Sequence, residues 1–160
     1  MSLSSSWTLY EHPPGTKDWS LESYRKIATF TTAKEIIAMM RHITDKEDRV
    51  TGAYLCLMRD DLKPIYEAEE NRKGGALTVR FNADKSTDFW KFIIAHVITD
   101  DILVPGAEKD IVHGVVISPK KGNIIIQLWT REEIGVCDLN PVVALPIPGE
   151  ILYRPHYERI

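Results

Sequence analysis

The chain has 160 residues, enough for one sizeable hydrophobic core and short for two domains. Its 44% apolar and 27% charged residues are the mixture of a globular domain. Twenty Lys plus Arg against 23 Asp plus Glu give a net charge of −3, which excludes a generally basic nucleic-acid binder but leaves room for a local phosphate patch. No apolar run approaches the length of a membrane span, and the polar, uncharged Met1–Ser6 start does not read as a secretory leader. Two cysteines, Cys56 and Cys137, form neither a disulfide framework nor a metal-ligand set and read as ordinary thiols.

In chain order, Ser6–Glu11 alternates as an edge strand and is ended by His12-Pro-Pro-Gly15. Trp19 then falls in a Pro/Gly/Asp loop with no apolar stripe to join, and Tyr24–Phe30 reads as a weaker second strand. The spacing of Ala33, Ile36, Ile37, Met40 and Ile43 predicts a helix over 33–43, opened by the Thr32/Glu35 capping box; by pattern Ile37 packs in or beside the core. Thr44–Arg49 is a charged connection.

Ala53–Met58 reads as a buried strand, Arg59-Asp60-Asp61 as a turn and Leu62–Tyr66 as a short extended piece. The charge run Glu67–Lys73 reads as loop, and Ala76–Phe81 as strand. Ser86–Ile98 is a second helix, capped by Ser86 or Thr87 with Asp88 in its first turn, and it carries Trp90 toward the core. Val112–Ser118 and Asn123–Trp129 form a hairpin about the basic turn Pro119-Lys-Lys-Gly122. Val142–Leu145 and Glu150–Tyr153 read as short strands between prolines. The sum is α+β: one curved antiparallel sheet of about six to eight strands with two or three helices on one face.

The residues offer little catalytic chemistry. No nucleophile elbow, zinc motif or Walker loop is present, and the five histidines share no spacing. A different combination carries more: Trp19 in a loop, Tyr66 next to Glu67, and Lys120-Lys121 in a turn. A purine base needs flat rings above and below it, and a carboxylate for its N–H donors. Guanine alone offers N1–H and N2–H side by side, and a methylated, cationic base is drawn further to aromatic faces. Spacing by itself does not bring these residues together.

Four ordered segments resemble the family of eukaryotic translation initiation factor 4E, the messenger RNA cap-binding proteins. They are Trp7-Thr-Leu-Tyr with Lys17-Asp-Trp19; Leu62-Lys-Pro-Ile-Tyr-Glu-Ala-Glu69 with Asn71-Arg-Lys-Gly-Gly75; Asp88-Phe-Trp90; and Gly114-Val-Val through Leu128-Trp129-Thr130. The resemblance runs from Trp7 to about Tyr157 and implies a compact, divergent member: a single cap-binding domain over 1–160, with its helices on the convex face of the sheet. It implies that Trp19 and Tyr66 stack on the 7-methylguanine and that Glu67 accepts its N1–H and N2–H. Trp129 would approach the methyl group, and Lys120 or Lys121 would meet the phosphates. Tyr66 stands where the family usually has Trp, and Asn123-Ile-Ile125 where it has a second basic contact. On the convex face, Ala33 and Ile37 stand where the family receives an adaptor helix such as that of a 4G-like scaffold, with Ile37 replacing an exposed Trp.

The resemblance further implies a monomer without catalysis, cofactor, metal or membrane contact, working in the cytoplasm with or without a nuclear pool. The alternative is a 4E-like scaffold of weak cap affinity that regulates translation through protein contacts. A decapping-like enzyme would need metal-binding carboxylates, which Glu67, Glu69 and Glu70 do not offer by spacing.

Overall fold

The computed structural model describes residues 2–43, 53–82, 89–144, 147 and 149–159. Its strands are β1 (Ser2–His12), β2 (Arg25–Thr32), β3 (Tyr54–Arg59), β4 (Gly75–Asn82), β5 (Val112–Lys120), β6 (Asn123–Thr130) and β7 (Leu152–Pro155). They form one sheet in the order β2-β1-β3-β5-β6-β4-β7, and every neighbouring pair is antiparallel. The predicted α+β class with a single antiparallel sheet is therefore observed.

The period-2 alternation of each strand sorts side chains onto two faces. Trp7 and Leu9 of β1, Leu55 and Leu57 of β3, Leu77 and Val79 of β4, and Ile126 and Leu128 of β6 enter the large core. That core is closed by α1 (Ala33–His42) and α3 (Phe89–Ile98), the latter burying Trp90, Ile93, Ile94 and Val97. Each fully buried aliphatic side chain there contributes about 1.5–3 kcal/mol. The residues between them face the other way: Tyr10, Tyr54, Cys56, Met58, Ala76, Val116 and Trp129 make a smaller cluster, which Tyr24, Leu62 and Tyr66 border. The helices hold one face and leave this second, aromatic face for other work.

α1 begins as the sequence predicts. The Thr32 hydroxyl accepts from the Glu35 backbone N–H at 3.3 Å, and the Glu35 carboxylate accepts from Thr32 N–H at 3.1 Å. The backbone N–H groups of Thr31, at 2.8 Å, and Thr32 hold the Glu35 carboxyl below its ordinary pKa. The stripe is rotated from the predicted one: Ile36, Met39 and Ile43 are buried, whereas Ile37 is 46% exposed. With Met39 continuing the stripe from Ile36, the neighbouring Ile37, about 100° further round the helix, falls on its outer side. The expectation that Ile37 packs in or beside the core is corrected: its side chain is among the exposed large hydrophobics.

Further readings change, the first being the edge position expected of the opening strand: β1 lies between β2 and β3. Glu69–Arg72, within the predicted loop, is a short helix, α2, and Pro141–Ala144, overlapping the predicted strand 142–145, is another, α4, in which Val142 N–H donates to the Asn140 side chain at 3.1 Å. Leu62–Tyr66 is irregular rather than extended pairing. The Thr44–Arg49 connection, the caps at Ser86 or Thr87, Asp88, Leu145 and the prolines at 146 and 148 lie outside the described residues. The β5–β6 hairpin turns at Lys121 and Gly122, both with positive φ (26° and 82°), the two-residue geometry that suits right-twisted strands.

Candidate functional site

Two loops reach over the aromatic face. The first follows β1 and carries Trp19. Thr16 Oγ1 accepts from Asp18 N–H at 3.2 Å, and the Asp18 carboxylate accepts from Ser20 N–H at 2.9 Å, which lowers the Asp18 pKa. His12, at the end of β1, lies flat against Trp19 with ring centroids 3.6 Å apart and planes within 3°. Tyr54 meets the same indole edge-on at 5.2 Å and 80°. Trp19 stays 49% exposed, while Trp7, Trp90 and Trp129 are at most 1% exposed.

The second loop carries Tyr66 and Glu67 and is fixed by Asn71 of α2, itself 1% exposed. The Asn71 amide nitrogen donates to the carbonyls of Lys63 and Ile65, both at 2.8 Å. Its oxygen therefore accepts from His113 Nδ1–H, also at 2.8 Å, and burial holds that imidazole below its ordinary pKa. Arg72 donates twice to the Glu67 carbonyl, at 2.8 and 3.1 Å. Behind the loop, Gly74 passes so close to the Thr130 carbonyl that any Cβ would collide with it. A charge run without an apolar stripe thus becomes a fixed loop, held by one buried amide.

Between the loops, Trp19, Tyr24, Tyr54, Ile65, Tyr66 and Glu67 line a cleft of about 280 Å³. It offers aromatic faces and one carboxylate, the surroundings that suit a flat ring carrying N–H donors and positive charge. Burial, then the Glu67 carboxylate, raises the Tyr66 phenol, and burial raises Tyr54 well above its ordinary value; both stay neutral. Tyr66 is backed by the 3₁₀ turn His156–Arg159. The His156 ring lies 6.0 Å away at 20°, the Arg159 guanidinium 5.8 Å from the Tyr66 centroid, and the Tyr66 hydroxyl makes a long 3.5 Å bond to the Arg159 carbonyl. His156 has no exposed surface, and neither ring nitrogen has a hydrogen-bond partner among the described residues. Burial pushes its pKa down to about 4.

The cleft brings together three of the predicted site residues, Trp19, Tyr66 and Glu67. Trp129 lies beneath it rather than in its wall: it is 1% exposed, donates its indole N–H to Gln127 at 3.2 Å and meets His156 edge-on at 4.7 Å. Lys120 and Lys121 line an adjoining cleft of about 370 Å³ that shares Trp19 and Tyr54 with the first. Ala33 and Ile37 sit on α1, among the helices of the opposite face. Sequence reasoning missed Tyr24, Tyr54, His12, His156 and Asn71. The alternation of β1 and β3 did carry a signal for two of them, since Tyr10/His12 and Tyr54/Cys56 share the face that the core leaves free. Among the described residues no group of three or more His, Cys, Asp or Glu is arranged to hold a metal, and no helix is long and apolar enough to cross a membrane.

The family model for eukaryotic initiation factor 4E matches residues 2–144. The chain belongs to the initiation factor 4E family. It is 31% identical over 134 residues to initiation factor 4E of Eremothecium gossypii, covering 81% of this chain and 62% of that protein. It is 27% identical to initiation factor 4E of Saccharomyces cerevisiae over 96% of this chain and 76% of that one. It spans about two thirds of the length of such relatives. Among solved structures, the schistosome 4E complex with m7GpppG and a 4E-binding protein superposes with a TM-score of 0.83 at 22% identity, over 99% of this chain and 90% of that one. Ascaris suum 4E-3 with an m2,2,7G cap gives 0.79 at 22% identity, over 97% and 91%. These neighbours share the 4E fold of this chain.

Proposed function

We propose that this 4E-family chain binds the 7-methylguanosine cap of messenger RNA in translation initiation, as a binding protein rather than an enzyme. The observation that carries the reading is the meeting of Trp19, Tyr66 and Glu67 in one cleft from loops 47 residues apart in sequence (19 to 66). The methylated base lies between the Trp19 and Tyr66 rings, and its positive charge is attracted by their π faces. Glu67 accepts N1–H and N2–H, two charge-assisted hydrogen bonds that adenine cannot supply. The glycosidic bond leaves guanine from N9, across the rings from N1. Ribose and phosphates therefore run away from Glu67, toward the adjoining cleft with Lys120 and Lys121. Trp129 acts from beneath, as part of the buried cluster against which Tyr66 and Tyr54 pack, and leaves the methyl group to the cleft wall.

The solved relatives carry 4E-binding proteins, Mextli in one and 4E-BP in another. An adaptor helix on the α1 face, at Ala33 and exposed Ile37, completes the proposal, and translation initiation places the work in the cytoplasm. Retention on immobilised 7-methyl-GTP tests the central reading. The protein should be released by free 7-methyl-GTP and not by equal GTP; release by both alike would overturn it.

A further inference from the structure

We infer that His12 is a positioning residue that sets the plane of Trp19 before any ligand arrives. The inference rests on the cap-binding reading for its purpose and on the ring and hydrogen-bond geometry of His12 for its substance. His12 closes β1 on the aromatic face and is only 2% exposed, yet its largest ring contact is with the half-exposed indole of a loop. The rings are parallel within 3° at 3.6 Å, which is full van der Waals stacking.

His12 Nε2 lies 2.7 Å from the Asp18 carbonyl oxygen. A carbonyl only accepts, so Nε2 carries the proton and donates. The imidazole thus holds the loop at two successive residues, by the backbone of Asp18 and the side chain of Trp19. Tyr24 and Tyr54 hold the imidazole in turn, edge-on at 5.1 and 6.2 Å.

With one indole face covered by His12, the other is the face left to the cleft. A bulky side chain on a Pro-Pro-Gly loop would otherwise sample several rotamers and lose that freedom on binding. The stack fixes it in advance, so the ordering cost does not fall on the ligand. An aliphatic residue at position 12 would fill the space without a flat surface. A phenyl ring would stack but could not donate to Asp18.

The test compares wild type with His12→Ala and His12→Phe; His12→Leu, bulky but not flat, serves if the alanine variant does not fold. The other three tryptophans are buried and emit further to the blue, so emission collected on the red side of the band is weighted to Trp19. In the ligand-free protein, His12→Ala should shift Trp19 emission to the red and lower its anisotropy. It should also weaken 7-methyl-GTP binding about 2- to 12-fold, the range expected for one lost aromatic pair. His12→Phe should restore the anisotropy and most of the affinity, a rescue that a general loss of stability would not show.

Unchanged Trp19 anisotropy in His12→Ala, or no rescue by a folded His12→Phe, overturns the inference. Absence of 7-methyl-GTP binding by the wild type would overturn the cap reading instead, and the ligand-free anisotropy would still decide whether His12 fixes Trp19.

Discussion

Replacing Glu67 with Gln tests the base-reading step atom by atom. The hydrogen bonds that shape the loop run through the Glu67 carbonyl and through Asn71, so the substitution leaves its frame intact. The carboxylate presents two acceptors to two adjacent donors, while the amide keeps one oxygen and turns an NH₂ toward the other donor. A hydrogen bond to a charged group contributes about 1.5–3 kcal/mol, so the loss should be roughly 10- to 150-fold in Kd for 7-methyl-GTP. The matching ligand change is 7-methylinosine triphosphate, which lacks the exocyclic N2 amine. Wild type should prefer the guanine ligand by a similar factor. In Glu67→Gln that preference should shrink to within about threefold, because the amide NH₂ then faces a C–H rather than an opposing donor. Calorimetric titration of both proteins with both ligands gives the four affinities. A Glu67→Gln protein that binds 7-methyl-GTP as well as wild type, or that keeps the full guanine preference, would refute this placement of the base.

Three further outcomes follow from the same geometry. Replacing Lys120 and Lys121 together with Gln should flatten the salt dependence of binding to a capped RNA oligonucleotide, lowering the slope of log K against log salt by about 0.7 per lysine; salt titrations of both proteins check it. His156 has a folded pKa of about 4 against an ordinary 6.5, so between those values the unfolded chain binds a proton that the native state refuses. Stability is therefore full above about pH 6.5, is lost as pH falls toward 4 and levels off below, by roughly 3 kcal/mol in all. His156→Phe, which keeps a ring against Tyr66 and Trp129, should remove that part of the pH dependence in urea unfolding at pH 7.5 and 4.5. Ile37→Asp, on the opposite face from the cleft, should leave 7-methyl-GTP affinity within about twofold while abolishing binding of a 4E-binding-protein helix, read by calorimetry with the isolated peptide.

What could be read from the sequence was what local chemistry decides. The α1 start was legible because Thr32 and Glu35 satisfy each other's amides within four residues, and the β5–β6 hairpin because its turn residues sit between two apolar alternations. α2 was not legible: its buried residue is a polar one, Asn71, whose partners Lys63, Ile65 and His113 come from elsewhere in the chain. α4 was misread because Val142 and Val143 favour strands, while the Asn140 side chain that turns the chain there gives only a weak signal. In the cleft, Trp19 stood out because it had no stripe to join, and Tyr66 with Glu67 because of the motif around them. The backing residues were silent. His12 and His156 matter through rings they meet only in three dimensions, and a lone histidine in a sequence does not announce which ring it faces.

The central claim is recognition of a methylated guanine between Trp19 and Tyr66, and its most direct test is Trp19 fluorescence during titration with 7-methyl-GTP and with GTP. The account predicts strong quenching that saturates at low micromolar 7-methyl-GTP, about −8 kcal/mol. GTP should bind at least about tenfold more weakly, because its neutral base lacks the cation–π attraction. Equal quenching by the two nucleotides at equal concentrations, or none by either, would contradict it.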